Sequence, residues 1–378
     1  MSKVQRPQLR LERSRGRRSL LRYIALACLV LVLAACRREI SEDSPLGGRV
    51  SLTGAGAGFP AILYQSWAIS LYRDMPELKI NYQSMGSGAG VKQVVRGVVD
   101  FGGSDIGMTP EEIDEAKHGA LMLPMTAGAV VLAYNLPDLD PPLRLRRQTY
   151  TDILLGKITR WRAPEIAADN PDANFPDLPI TVIHRADGSG ATAVLTAHLA
   201  AISPEWDRRI GVGKNVDWPR TGRFVGSKGN DGMTNQILLV AGSFGYLDYS
   251  FAANNEVGMA MLENRAGNFI RPTNTSAEAS LGTAEMPDDF RLFITDPEGA
   301  DSYPVVTYTW LLPLQSYKDP LKAKAIEIFI EYGLNEGQDV APRLGYAPLP
   351  QAVRERVAAA ADQISPDYEL TLRPREAP

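Results

Sequence analysis

Cysteine and histidine are scarce in this chain, and their scarcity excludes several kinds of site. Of 378 residues, two are cysteine (Cys28 and Cys36) and three are histidine. Both cysteines lie in or beside an N-terminal apolar run, so the remaining body has no thiol for a disulfide, a nucleophile or a metal ligand. No His-Glu-x-x-His, Gly-x-Ser-x-Gly or Gly-x-x-x-x-Gly-Lys-Ser/Thr sequence occurs either. We therefore expect no catalytic residue, no bound metal and no cofactor.

Outside the N-terminus, basic residues are outnumbered by acidic ones. Residues 1–35 contain eight of the 40 Lys and Arg residues and one of the 44 Asp and Glu residues. The remaining 32 basic and 43 acidic residues give the body a formal charge of −11. Such a body repels a nucleic-acid backbone at long range, so we expect no nucleic-acid partner. Any anion that the body binds must be held by local geometry.

Long apolar runs are also lacking, with one exception near the N-terminus. Residues 23–35 are apolar, follow a basic segment and end in Leu33-Ala-Ala-Cys36. Small residues before a cysteine resemble the bacterial lipobox, in which the cysteine is acylated and becomes the mature N-terminus. An uncleaved membrane helix is the alternative, but this run is shorter than the ~20 residues that a span needs. Arg17-Arg18 leaves open whether export uses the general or the twin-arginine route.

The N-terminal pattern predicts where the mature protein resides. We expect a signal peptide over residues 1–36, ending at the lipidated Cys36, and a flexible tether over residues 37–48, which are polar and glycine-containing. The mature protein is then an exported lipoprotein, anchored to a membrane and facing the periplasm or the cell exterior.

Three strand–glycine–helix units stand out in the body. Glycine-rich turns at 54–58, 84–90 and 185–190 each follow a short predicted strand and precede a helical pattern. The first turn of a helix leaves backbone N–H groups without carbonyl partners, and the macrodipole adds partial positive charge there. Glycine lets an anion approach that backbone closely, so three such units favour an anion-binding site. In the second helix, Val91, Val94, Val95 and Val98 are expected to face inward.

Six strings, in order, carry a resemblance to a known family. They are Leu52–Pro60, Asn81–Gln93, Val99–Asp105, Leu155–Trp161, Arg185–Gly190 and Lys228–Gly232. Over roughly residues 50–355 the chain resembles the phosphate-binding proteins of bacterial ABC phosphate importers. The resemblance implies an α/β, two-lobed periplasmic-binding-protein fold with two crossover strands forming a hinge. It also implies inorganic phosphate as ligand, the permease and ATPase subunits of an ABC importer as partners, and a monomer that is not an enzyme.

The resemblance further implies lobe boundaries. Lobe 1 is expected over residues 48–128 plus 308–370, and lobe 2 over residues 129–307. The two crossovers are expected near Gly128–Tyr134 and Tyr303–Trp310.

The family's phosphate contacts are carried over residue by residue. Backbone groups of Gly58 and Phe59, both groups of Ser87, the Asp105 carboxylate and the Arg185 guanidinium are implied. Three residues at the start of the third helix complete the implied set: Ser189, Gly190 and Ala191.

The chain departs from the family at two of these positions. The family usually has threonine where this chain has Gly58 and Ala191, so two hydroxyl donors are missing. Thr192 is a candidate substitute for the second, although an adjacent helix position faces about 100° away. At about 1 kcal/mol for each neutral hydrogen bond, the loss predicts up to tens-fold weaker affinity.

Several residues also have plainer interpretations. Arg185 could be a surface arginine paired with Asp187, and Asp105 could cap the helix that begins near Pro110. The Lys228–Gly232 string suits either a tight turn or a loop at the mouth of the cleft. The alternative functions are a surface binder or sensor of another tetrahedral oxyanion and, less favoured, a secreted phosphatase.

Lipid attachment at Cys36 predicts the chemical form of the mature chain. Mass spectrometry of the membrane fraction should find the chain starting at an acylated Cys36. Cys36→Ser should abolish acylation and processing, whereas the matched Cys28→Ser should leave both intact because Cys28 lies inside the removed segment. An unmodified Cys36, or an intact N-terminus, would contradict the lipoprotein assignment.

Overall fold

The computed structural model describes residues 46–136 and 139–374. The predicted signal peptide, Cys36 and most of the tether lie outside the described residues. Within the described ranges no helix has both the length and the apolar character needed to cross a membrane.

The body alternates strands and helices along the chain. The strands are β1 (Val50–Gly56), β2 (Leu78–Ser84), β3 (Phe101–Ser104), β4 (Leu123–Tyr134), β5 (Arg144–Leu145), β6 (Thr181–Arg185), β7 (Arg223–Ser227), β8 (Ser243–Asp248), β9 (Gly258–Met259), β10 (Met261–Glu263), β11 (Phe269–Ile270) and β12 (Val306–Pro313). The earlier helices are α1 (Ala61–Asp74), α2 (Ser87–Val95), α3 (Pro110–Asp114), α4 (Arg147–Leu154), α5 (Pro164–Asp169), α6 (Gly190–Ile202) and α7 (Pro204–Arg209). The later helices are α8 (Gly229–Leu239), α9 (Tyr249–Asn254), α10 (Asn274–Leu281), α11 (Pro320–Leu334), α12 (Glu336–Val340) and α13 (Gln351–Ala361), with a 3₁₀ turn at Ala341–Leu344.

The main sheet has parallel strands at both ends and antiparallel strands in its middle. Its order is β2-β1-β3-β12-β4-β8-β6-β7, and β9 also pairs with β4. Strands β1, β2 and β3 are mutually parallel, and so are β6, β7 and β8. The carboxyl ends of parallel strands meet at one edge, where α/β proteins bind ligands. Each end of the sheet therefore gathers three strand ends into one loop cluster.

Strand β4 joins the two ends of the sheet. Its residues up to Ala129 pair with β12, and Val130–Tyr134 pair with β8. Strand β12 in turn pairs with β3 through Trp310–Pro313. Strand β4 contains the first stretch where a crossover is expected, and β12 contains residues 306–310 of the second. The residue boundaries of the two lobes stay a prediction.

Aromatic side chains fill the core beside the first three strands. Tyr64, Trp67, Tyr82, Phe101 and Phe329 are buried, with neighbouring ring centroids 5.2 to 5.9 Å apart. Such offset and edge-on ring contacts add to the free energy gained from burial. This packing fixes β1 and β2 beneath the glycine turns that follow them.

The expectation that Val98 faces inward is wrong. Helix α2 ends at Val95, and Val98 is 68% exposed. Gly97 has φ +63°, its N–H donates to Val94 O, and the N–H of Val98 donates to Gln93 O. This is a glycine-terminated helix end, which turns the following residue away from the helical face.

Candidate functional site

The two clusters of strand ends meet in a cleft. The N–H of Gly88, in the first turn of α2, donates to the carbonyl of Gly188, in the loop before α6, at 3.1 Å. Farther out, Lys214 Nζ lies 3.7 Å from Glu112 Oε1. The eight predicted site residues border this cleft, and all eight are buried.

Asp105 follows β3 and lies at the centre of the cleft, 3% exposed. Its Oδ2 accepts from Ser87 Oγ at 3.2 Å, and its Oδ1 accepts from Thr309 Oγ1 at 2.9 Å. The helix-cap interpretation of Asp105 is wrong, because Thr109 caps α3 in a reciprocal capping box with Glu112. The Asp105 carboxylate is therefore held by hydroxyl groups and is not used to begin a helix.

Two buried carboxylates in the cleft, Asp105 and Asp248, have raised pKa values. Burial, together with the nearby Asp248 carboxylate, raises the pKa of Asp105 to about 8, although Thr309, Ser87 and Arg185 oppose the shift. Burial raises the pKa of Asp248 to about 6, and the Arg185 guanidinium limits that rise. The closed cleft therefore favours a proton on Asp105 near neutral pH.

Arg185 ends β6 and is a buried residue, so the surface-arginine interpretation is wrong. Its side chain is 4% exposed. The guanidinium forms a fork with Asp187, in which Nε donates to Oδ1 at 2.7 Å and Nη2 donates to Oδ2. Burial alone would raise the pKa of Asp187, but the Arg185 guanidinium outweighs burial and holds that pKa below its ordinary value. Asp187 therefore orients Arg185, as the pairing of a guanidinium fork with a carboxylate predicts.

The Lys228–Gly232 string forms a fourth strand–glycine–helix unit. It links β7 to α8, and Asn230 in the first turn of α8 is 3% exposed. Asn230 Oδ1 accepts from Arg185 Nη1 at 3.3 Å, and Asn230 Nδ2 donates to Asp248 Oδ2. The string is therefore part of the cleft, which neither the tight-turn nor the cleft-mouth interpretation anticipated.

Backbone N–H groups converge at the starts of α1, α2 and α6. Among the described residues, no hydrogen-bond acceptor is found for the N–H groups of Gly58, Phe59, Ser87, Gly190 and Ala191. Buried N–H groups are rarely left without an acceptor. Together with Arg185, these donors can surround a small oxyanion and supply the positive potential that the acidic body lacks.

The two departures from the family pattern have different surroundings. Thr192, the candidate substitute for the hydroxyl missing at Ala191, has its Oγ1 hydrogen-bonded to the Tyr246 hydroxyl at 2.6 Å. Its N–H is also used, donating to the Ser189 Oγ that caps α6. At Gly58, by contrast, the Asn230 amide lies close to the missing side chain's position.

Three polar residues of the cleft escaped sequence reasoning. Thr309 lies on β12, Asn230 follows β7, and Asp248 is the last residue of β8. Of the three, only Asn230 has a recognisable sequence signal, because it lies in a glycine-rich string after an apolar segment. Across the described residues, no group of three or more His, Cys, Asp or Glu side chains is placed to hold a metal ion.

Comparison with known proteins identifies the family. Residues 42–336 match the model of the PBP superfamily domain. The chain is 38% identical to the phosphate-binding protein PstS of Pasteurella multocida over 312 residues, covering 82% of this chain and 89% of that protein. It is 37% identical to PstS of Haemophilus influenzae, covering 82% and 92%. The chain belongs to the PstS family of phosphate-binding proteins.

Solved structures confirm the two-lobed α/β fold. A phosphate-binding protein from Stenotrophomonas maltophilia superposes with a TM-score of 0.67 at 20% identity, covering 86% of this chain and 100% of that one. A periplasmic phosphate-binding protein solved with bound phosphate gives 0.68 at 18% identity, with the same coverage. At such low sequence identity, the structural likeness establishes the fold alone.

Gly190 should control closure of the cleft. A Cβ on Gly190 would lie 2.6 Å from the Asp105 Cβ and 2.4 Å from Ser87 Oγ, so Gly190→Ala should hold the two sides apart. A Cβ on Gly188 would have ordinary contacts at 3.6 Å, which makes Gly188→Ala a matched control. In small-angle scattering with saturating inorganic phosphate, wild type and Gly188→Ala should shrink, whereas Gly190→Ala should stay expanded. Equal shrinkage of all three proteins would contradict this role.

Proposed function

We propose that this protein binds inorganic phosphate in the cleft, outside the cytoplasmic membrane, and delivers it to an ABC-type phosphate importer. The observation that carries the proposal is the combination of many donors with one central acceptor. Arg185 and five backbone N–H groups attract an oxyanion, while the buried Asp105 accepts a hydrogen bond. The names of the PstS relatives support the same ligand.

The acceptor explains how phosphate is distinguished from sulfate. Phosphate keeps at least one proton near neutral pH, whereas sulfate keeps none. Above its raised pKa of about 8, Asp105 is an ionised, acceptor-only carboxylate, so it can receive a P–OH donor but repels an unprotonated sulfate oxygen. In a buried cleft that unmatched contact costs several kcal/mol, which corresponds to roughly a thousand-fold preference.

The proposed contacts are those that the family resemblance implies. Ser87 and Asp105 act from one side of the cleft, and Arg185 acts from the other. The backbone donors of the proposed site belong to Gly58, Phe59, Ser87, Gly190 and Ala191. Ser189 contributes its hydroxyl, because its own N–H already donates to Lys214 O. Ser189 also has a structural role, because its hydroxyl caps α6.

The proposed setting of the protein is a membrane surface. A lipid on Cys36 keeps the monomer there, and the tether lets it reach the permease and ATPase subunits of the importer. The proposed cycle consists of capture and release without bond cleavage, so the protein acts as a binding protein and not as an enzyme. Phosphate is its only proposed small-molecule ligand.

Variants of the two charged contacts should separate capture from selectivity. Arg185→Ala should weaken phosphate binding at least a hundred-fold, because it removes charge-assisted donors and leaves Asp187 without its guanidinium partner. Asp105→Asn keeps the shape but can donate as well as accept, so it should raise sulfate affinity relative to phosphate. Calorimetric titration of each protein with each anion, at a pH above about 8 where Asp105 is ionised, measures both effects.

An exposed pair supplies the matched control for the arginine variant. Arg160 forms a similar contact with Asp177 but is 52% exposed, so Arg160→Ala should leave phosphate affinity unchanged. Wild-type protein that binds sulfate as tightly as phosphate, or that binds neither, would overturn the proposed function.

A further inference from the structure

Asn230 is a buried amide whose partners fix its orientation. Arg185 Nη1 donates to its Oδ1 at 3.3 Å, and its Nδ2 donates to Asp248 Oδ2. A guanidinium is donor-only and an ionised carboxylate is acceptor-only, so the amide cannot be reversed without losing both contacts. Asp248 therefore acts as a positioning residue for Asn230.

The Nδ2 group of Asn230 has a second N–H beyond the one that Asp248 accepts. No other described residue accepts from it. A side chain that is 3% exposed has little access to solvent, so an unused N–H there is a costly arrangement unless a ligand accepts from it.

Asn230 lies next to the position where Gly58 departs from the family. A Cβ built on Gly58 would lie 2.9 Å from Asn230 Nδ2 and 3.0 Å from Ser84 Oγ. The φ of Gly58 is outside the left-handed region, so the backbone itself does not require glycine. The amide therefore lies close to the space that a hydroxyl side chain at 58 would occupy.

We propose that Asn230 is a phosphate ligand whose amide occupies part of the space that a side chain at Gly58 would fill. Its Nδ2 donates to a phosphate oxygen beside the Gly58 N–H, and Asp248 holds the amide in place. This inference rests on the proposed function and adds a residue to the site. It also implies that a hydroxyl introduced at position 58 and the Asn230 amide would serve the same phosphate oxygen.

A double-mutant cycle tests that shared role. Asn230→Ala should weaken phosphate binding roughly ten-fold or more, since it removes a donor to a charged oxygen. Adding Gly58→Thr to Asn230→Ala should recover much of the affinity, because the small alanine makes room and the threonine supplies a hydroxyl. Gly58→Thr alone should give no gain, because its Cβ would lie 2.9 Å from Asn230 Nδ2 and the two groups compete for the same space. Calorimetric titration with inorganic phosphate measures all four proteins.

Controls separate a ligand role from a structural one. Asn255→Ala removes an exposed amide that donates to Phe251 O and should leave affinity unchanged. Thermal unfolding without phosphate reports whether each variant folds. If Asn230→Ala does not fold, Asn230→Ser takes its place in the same cycle.

The outcomes distinguish this inference from the proposed function. Wild-type protein that ignores phosphate contradicts the proposed function itself. Wild type that binds phosphate while Asn230→Ala binds equally well overturns the ligand role of Asn230. The shared role is also overturned if Gly58→Thr changes affinity equally in both backgrounds, because the two donors would then act independently.

Discussion

The site depends on placing negative side chains in a buried cleft that receives an anion. Asp105, Asp187 and Asp248 all lie around the Arg185 guanidinium, and Asp105 and Asp248 are at most 3% exposed. Burying so many carboxylates near one guanidinium is unfavourable unless protons or donors compensate. The pKa of Asp105 rises to about 8 for this reason, and a proton becomes part of the site.

The fold makes this arrangement possible by bringing parallel strand ends together. β1, β2 and β3 supply Gly58, Ser87 and Asp105 from one side, and β6, β7 and β8 supply Arg185 and its partners from the other. Helices that begin directly after these strands direct their unpaired N–H groups toward the same region. An acidic body can therefore bind an anion through dipoles and a single buried guanidinium. The glycine at position 86 lets the two sides approach each other closely. A Cβ on Gly86, at φ +87°, would lie 2.6 Å from the Gly188 carbonyl oxygen.

Local features could be predicted from the sequence because they depend on short stretches. The glycine turns before α1, α2 and α6, and the pairing of Arg185 with Asp187, follow from neighbouring residues. The roles of Thr309 and Asp248 depend on which strands pair, and single-sequence patterns do not determine pairing. The hydrogen bond between Thr192 and the Tyr246 hydroxyl has the same origin, because the pairing of β6 with β8 brings Tyr246 close. Such contacts are tertiary, so local composition does not predict them.

In the proposed function, the proton balance at Asp105 decides which oxyanion the cleft holds. Because the pKa of Asp105 is raised, the carboxyl group is neutral at lower pH and can then donate to sulfate, but above about pH 8 it is ionised and repels sulfate. Phosphate carries its own proton through this range. The measurement that isolates this effect is the affinity for each anion between about pH 6 and about pH 9. Sulfate affinity should fall by up to about ten-fold per pH unit above the pKa while phosphate affinity changes little. A sulfate affinity independent of pH, or a parallel loss for both anions, would contradict control of selectivity by Asp105.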